Sequence, residues 1–161
     1  MKTLFLIRHG KAEKIAPGMS DFERSLDQTG QKEALRMAKK FSKEYNPAYW
    51  LSSPATRAFQ TAKAFAGVYG KEIEHITLNE DIYEAELPAL LHIINQLPDE
   101  YNSAVLFGHN PAFTMMASYL SGQNIGNLPT AGSAGIRFGF ESWAMLSKGT
   151  GELVYFQYPE H

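Results

Sequence analysis

The chain has no cysteine among its 161 residues. That absence excludes a disulfide framework, a thiolate nucleophile and a cysteine-ligated zinc site at once. Neither sign of charge is in excess. Charged residues are 20% of the chain and the formal net charge is −2, so no global basic field recruits nucleic acid or an anionic membrane, and any anion binding has to be local. Long apolar runs are missing too. No stretch reaches the ~20 apolar residues of a membrane span. The apolar segment behind Met1-Lys2 is too short for a signal peptide and stops at Arg8-His9 without a small-residue cleavage site. A cytoplasmic protein without nucleic-acid or membrane partners is therefore expected. Linkers and repeats are equally lacking, and the length suits a single domain over residues 1–161 with a sizeable core.

What is present starts with residues 3–7, Thr-Leu-Phe-Leu-Ile, a short and almost unbroken apolar run that reads as a strand buried on both faces. Arg8, His9 and Gly10 follow without a spacer, which puts a cation and an imidazole at the carboxyl edge of a core strand, where α/β folds place ligands. Gly10 permits a tight turn or a close backbone approach. For an isolated Arg-His-Gly a plain turn is the commoner explanation. Two further stretches change that balance: Ser53-Pro54-Ala55-Thr56-Arg57 and Phe107-Gly108-His109-Asn110-Pro111 each follow a short apolar run and precede an amphipathic helix. Three strand ends thus converge on two arginines and two histidines.

Between these stretches the pattern alternates strand and helix. Residues 11–28 form a polar loop in which Ser20-Asp21-Phe22-Glu23-Arg24 offers a cation and a carboxylate able to fold back over the strand ends. Thr29 is positioned to cap a helix that buries Ala34, Ala38, Phe41 and Tyr45, and Asn46-Pro47 ends it. A second strand covers residues 48–51. Ser53 and Pro54 then read as cap and first residue of a helix with Arg57 in its first turn. Residues 72–78 form a third, more polar strand near an edge, and Glu80, Asp81, Glu84 and Glu86 precede a helix starting near Pro88. The fourth strand, residues 103–107, leads through Asn110 as cap and Pro111 as first helical residue into a helix ending near Leu120. Residues 134–140 and 152–158 extend the sheet, at least one of them antiparallel. The Thr130-Ala131-Gly132-Ser133 stretch has no assigned place.

The convergent residues have a definite chemistry. Guanidiniums are planar, permanently charged forks that match phosphate oxygens, and they bind without attacking. A neutral imidazole is a nucleophile, and neighbouring arginines disfavour its protonated form. A second histidine helps to hold the equatorial oxygens of a loose phosphoryl-transfer transition state. A metal site is the weaker idea, since His9, His75, His92, His109 and His161 show neither i, i+4 pairing nor clustering.

Taken together, Leu6-Ile7-Arg8-His9-Gly10, Ser52-Ser53-Pro54-Ala55-Thr56-Arg57-Ala58 with Thr61-Ala62, and Gly108-His109-Asn110-Pro111 resemble the histidine phosphatase (phosphoglycerate-mutase-like) superfamily, most closely its small SixA-type phosphohistidine phosphatases. The resemblance implies a three-layer α/β/α sandwich with a mostly parallel central sheet. It also implies His9 as a nucleophile that becomes phosphohistidine, with Arg8, Arg57 and His109 as the phosphate pocket and neither metal nor cofactor. Asp21-Phe22-Glu23-Arg24-Ser25-Leu26, followed by Thr29-Gly30, looks like the SixA-type loop and adds Arg24 as a substrate-binding candidate. Larger relatives carry a glutamate general acid after the third strand, often under a helical insertion. Glu84 is the candidate here, and the large cap insertion is absent, because residues 79–102 have room for one helix. The expected substrate is phosphohistidine in a protein, with inorganic phosphate as product. The alternatives are a small phosphate ester or sugar phosphate, and a phosphoprotein-binding module with little turnover.

Overall fold

The computed structural model describes residues 1–160; His161 lies outside the described residues. Strand β1 (Lys2–Arg8) occupies the middle of the sheet because both of its faces are apolar. Leu4 and Leu6 enter one core, and Phe5 and Ile7 enter the other. Its parallel neighbour β4 (Ser103–Gly108) repeats the alternation, with Ala104 and Leu106 on the first face and Val105 and Phe107 on the second. Such double-sided burial is what a parallel strand covered by helices on both faces requires.

Helices α1 (Gln28–Ser42) and α2 (Thr56–Val68) cover the second face through Met37, Phe41, Ala62 and Phe65. Helices α3 (Leu87–Asn95) and α4 (Ala112–Ser121) cover the first through Leu90, Ile94, Phe113, Met116 and Leu120. The result is the expected three-layer α/β/α sandwich. With β2 (Tyr49–Ser52), β3 (Ile76–Leu78), β5 (Ser133–Phe138) and β6 (Glu152–Gln157), the sheet order is β3-β2-β4-β1-β5-β6. The pairs β1/β4, β2/β4 and β2/β3 are parallel, whereas β1/β5 and β5/β6 are antiparallel. No large insertion caps the sheet, and among the described residues no helix is long and apolar enough to cross a membrane.

Register positions the chemistry. Ile7 pairs with Phe107 and Arg8 with Gly108, while Ser52 pairs with Phe107 from the other side. Three parallel strands therefore end at one level, and the residues that follow them, His9, Ser53 and His109, emerge side by side at the carboxyl edge. Gly10 makes the close approach, but to the chain itself: a Cβ there would lie 2.9 Å from the Gly30 carbonyl oxygen, and one on Gly30 would lie 2.0 Å from that of Lys11. The loop leaving β1 is thus pressed onto the start of α1, with no room for a methyl group between two backbones.

Several boundaries differ from the sequence reading. The third strand is only Ile76–Leu78, because residues 73–75 wind into a 3-10 turn, and it lies at the sheet edge as expected. Asp27 rather than Thr29 caps α1, its carboxylate accepting the Gly30 N–H at 2.7 Å. Ser53 does not open α2; its hydroxyl accepts the Ala55 N–H at 3.2 Å and the helix starts at Thr56. Asn110 acts one turn further on, with Oδ1 accepting from the backbone N–H and the hydroxyl of Thr114, and α4 begins after Pro111. The helix starts thus differ by one or two residues from the sequence reading, as helix ends are the least legible part of a sequence.

Candidate active site

His9 follows β1, 8% exposed, and its ring is fixed from both sides. Nδ1 lies 2.7 Å from the Gly10 carbonyl oxygen. A carbonyl can only accept, so Nδ1 carries the proton and Nε2 keeps its lone pair. That lone pair faces Arg57, whose Nε–H donates to it at 3.3 Å. The backbone beneath is equally tied: His9 N–H donates to Gly108, Ala131 N–H donates to the His9 carbonyl, and Gly10 N–H donates to the Thr61 hydroxyl at 3.0 Å. Thr61 in turn donates to the Arg57 carbonyl at 2.8 Å, so helix α2 holds both the turn and the arginine.

His109 lies across from His9, with ring centroids 5.2 Å apart. Its Nε2 is 2.8 Å from the Ser53 hydroxyl. That hydroxyl oxygen accepts from Ala55 and keeps both a hydrogen and a second lone pair, so it pairs with Nε2 in either tautomer of His109. Nδ1 is buried without a partner, and so is Nε of Arg8. An unpaired buried donor such as the Arg8 Nε–H is costly unless an anion completes it. Arg8 also donates from Nη1 to the Leu128 carbonyl at 3.1 Å, and Arg8 N–H donates to Gly132. The unplaced 130–133 stretch is therefore the support beneath Arg8 and His9, entered through Ala131 in the left-handed region at φ 60°.

Both imidazoles are held neutral. Burial is the main cause for His9; it outweighs the opposing Gly10 hydrogen bond and, with the fields of Arg57, Arg8 and Arg24, brings the pKa down to about 4. His109 is drawn down to about 3, again chiefly by burial and then by His9, Arg57 and Arg8, with Asp21 opposing. Burial also lowers Arg8 from its ordinary value.

The structure brings Arg8, His9, Arg57 and His109 together as the sequence indicated. Arg24 arrives by another route: its guanidinium donates to Asp21 from Nε at 2.9 Å and from Nη2 at 2.7 Å. Glu84 sits in the left-handed region at φ 57°, exposed, on the wall of a cleft of about 570 Å³ beside His109. Ile82, Ala85, Leu87, Pro88 and Met115 make that cleft largely apolar, and Glu86 also borders it, whereas Glu80 and Asp81 do not. Asp21, which the sequence reading offered only as one carboxylate of a loop able to fold back, and Tyr83, which it gave no role, join the site by hydrogen bonds that span 36 and 62 positions. The i, i+3 spacing of Asp21 and Arg24 was the available signal. Among the described residues no three His, Cys, Asp or Glu side chains are grouped to hold a metal ion.

Two neutral imidazoles among fixed guanidiniums, at the carboxyl edge of a doubly covered parallel sheet, define a site of phosphoryl-transfer type. The chain belongs to the histidine phosphatase superfamily (branch 1), whose model matches residues 4–103. Phosphoglycerate mutase-like protein 4 of Arabidopsis thaliana is 33% identical over 97 residues, 58% of this chain. The match spans only 40% of that relative's length. A solved structure from Agrobacterium tumefaciens, of a protein assigned as the phosphohistidine phosphatase SixA, is similar with a TM-score of 0.83 at 28% identity, over 98% of both chains. The protein histidine phosphatase SixA complexed with tungstate shares the fold with a TM-score of 0.81 at 20% identity, over 97% of this chain and 96% of that one.

Proposed function

We propose that the protein is a phosphatase that works through a covalent phosphohistidine on His9 and that its preferred substrate is phosphohistidine in a protein. The observation that carries this reading is the orientation of His9: Nδ1 is pinned to the Gly10 carbonyl, and the unprotonated Nε2 faces the Arg57 guanidinium. Nε2 attacks phosphorus, the bond from phosphorus to the leaving nitrogen or oxygen breaks, and the leaving atom keeps the electron pair and takes a proton. Water then attacks the phosphohistidine, its proton passes to a base, inorganic phosphate departs, and His9 regains its lone pair. Arg8, Arg57 and His109 hold the equatorial oxygens, and Arg24 adds positive field from the rim. Glu84 is the proton donor for the leaving group and the base in the second step. No metal takes part in this scheme, since the guanidiniums supply the positive charge.

A phosphohistidine substrate is supported by the likeness to the SixA-assigned protein and by the absence of a cap over the sheet edge, which leaves room for a macromolecular surface. The cleft beside His109 favours a second reading, a small phosphate ester whose organic group lies between α3 and α4. The two separate on a panel of substrates. A phosphohistidine protein should exceed alkyl and sugar phosphates in kcat/KM by about tenfold or more, and Glu84→Gln should slow it less than it slows an ester, because imidazole leaves more readily than an alkoxide. One small ester that outperforms the phosphoprotein and is crippled by Glu84→Gln would establish the second reading instead.

The His9 pKa gives a further expected result. Attack needs the neutral ring, and burial places its titration near 4 rather than near 6.5. After correction for the substrate's own ionisation, which for phosphate monoesters has a second pKa of about 6, the acid limb of kcat/KM should fall about tenfold per unit below about 4. An acid limb that remains near 6.5 after this correction would mean that the attacking group is a solvated histidine.

A further inference from the structure

The Arg57 guanidinium is less free than a phosphate fork should be. Nη1 donates to the Asp21 backbone carbonyl at 2.7 Å and Nη2 to its carboxylate Oδ2 at 2.9 Å, so the arginine grips one residue at two points while Nε reaches His9. Tyr83 donates its hydroxyl to the same Oδ2 at 2.8 Å, and Arg24 takes Oδ1 from Nε and Nη2. One half-exposed carboxylate thus accepts from two guanidiniums and a phenol, joining the loop after β1, the start of α2 and the loop after β3. The Asp21–Glu23 turn that carries it is closed by a capping box between Ser20 and Glu23.

We infer that Asp21 is a positioning residue of this site: it aims Arg57 so that its Nε meets the reacting nitrogen of His9, and it draws Arg24 over the same opening. The inference rests on the reading of His9 as the attacking group. The chemistry demands a carboxylate. Both oxygens must accept, each from more than one donor, and asparagine would turn an NH2 group towards one of the guanidiniums or the phenol. The charge has a second effect. Asp21 lowers the positive potential felt by an incoming phosphate, so its removal strengthens general anion attraction while loosening the arginine that acts in the transition state. Geometry and field oppose each other in binding, whereas the chemical step depends most on where Arg57 is held.

Asp21→Asn should therefore lower kcat about tenfold or more and leave KM within about twofold of wild type or below it. Asp21→Glu, which restores an acceptor-only group, should recover part of the loss. Tyr83→Phe removes a single donor to Oδ2, and it should lower kcat less in the wild-type background and hardly at all when added to Asp21→Asn. If Asp21→Asn does not fold, a kcat loss at constant KM in Tyr83→Phe supports the assignment, and an unchanged kcat there overturns it. An unchanged kcat in Asp21→Asn also overturns it. So does a higher kcat/KM together with tighter inhibition by inorganic phosphate, which would make Asp21 a competitor for the anion site. Acid-labile label from labelled substrate, trapped by rapid denaturation, keeps the two hypotheses apart. Label on His9 with kcat unaffected by Asp21→Asn sinks only the positioning role, whereas wild-type label on another residue sinks the reading on which it rests.

Discussion

His9→Ala is expected to lower kcat by about 10⁴-fold or more, the scale on which loss of a covalent nucleophile is felt. No other group in the site can replace it. His109 Nε2 is tied to the Ser53 hydroxyl and its Nδ1 is buried, and the guanidiniums cannot attack. The fold should survive, since the His9 ring bonds only its neighbour Gly10 and Arg57, while β1 is held by its pairing with β4 and β5. Rapid denaturation during turnover should give an acid-labile, base-stable label on the His9 peptide of the wild type and none in the variant. The variant should still bind inorganic phosphate through Arg8, Arg57 and His109. Turnover within about tenfold of wild type, or label on a serine, would remove His9 from the mechanism. If wild type itself binds phosphate without turning over any phosphorylated substrate, the chain is a phosphate-recognising module.

Arg57→Lys should lower kcat/KM by about a hundredfold, corresponding to about 2.7 kcal/mol of transition-state stabilisation, comparable to losing one preorganised oxyanion donor. Lysine keeps the charge and loses the geometry. Arg57 is 5% exposed and uses three nitrogens in three directions, to His9 Nε2, to the Asp21 carbonyl and to the Asp21 carboxylate. A single ammonium cannot span those acceptors, so it either abandons the reacting centre or releases the Asp21 loop. Most of the loss should fall on kcat, and melting experiments should find a folded protein because the buried charge is kept. A rate within twofold of wild type would show that charge alone suffices at this position.

The two arginines and two histidines were legible because each belongs to a local unit. An apolar run, a short polar break and an amphipathic helix can be read within some fifteen residues, and in a parallel sheet every such unit turns its break to the same edge. Arg8, His9, Arg57 and His109 follow that grammar. Helix caps did not: Asp27 takes the place expected of Thr29, and α2 and α4 begin beyond Ser53 and Asn110. Residues 73–75 were read as strand from their composition, yet they coil, since at the sheet edge only Ile76 is drawn into the core.

By itself the sequence determined the alternation of strands and helices, the strand edge that carries the chemistry and the four residues that meet there, because hydrophobic periodicity and the strand-loop-helix order are properties of neighbouring residues; the three-layer arrangement was what the family resemblance implied. Tertiary structure alone decided which nitrogen of His9 is free, how far burial suppresses the charge of both imidazoles, that residues 130–133 support the site, and that Asp21 binds Arg24, Arg57 and Tyr83 together. Those properties depend on distances between groups tens of positions apart in the chain and on the water that packing removes from around them, and neither quantity is set by local spacing.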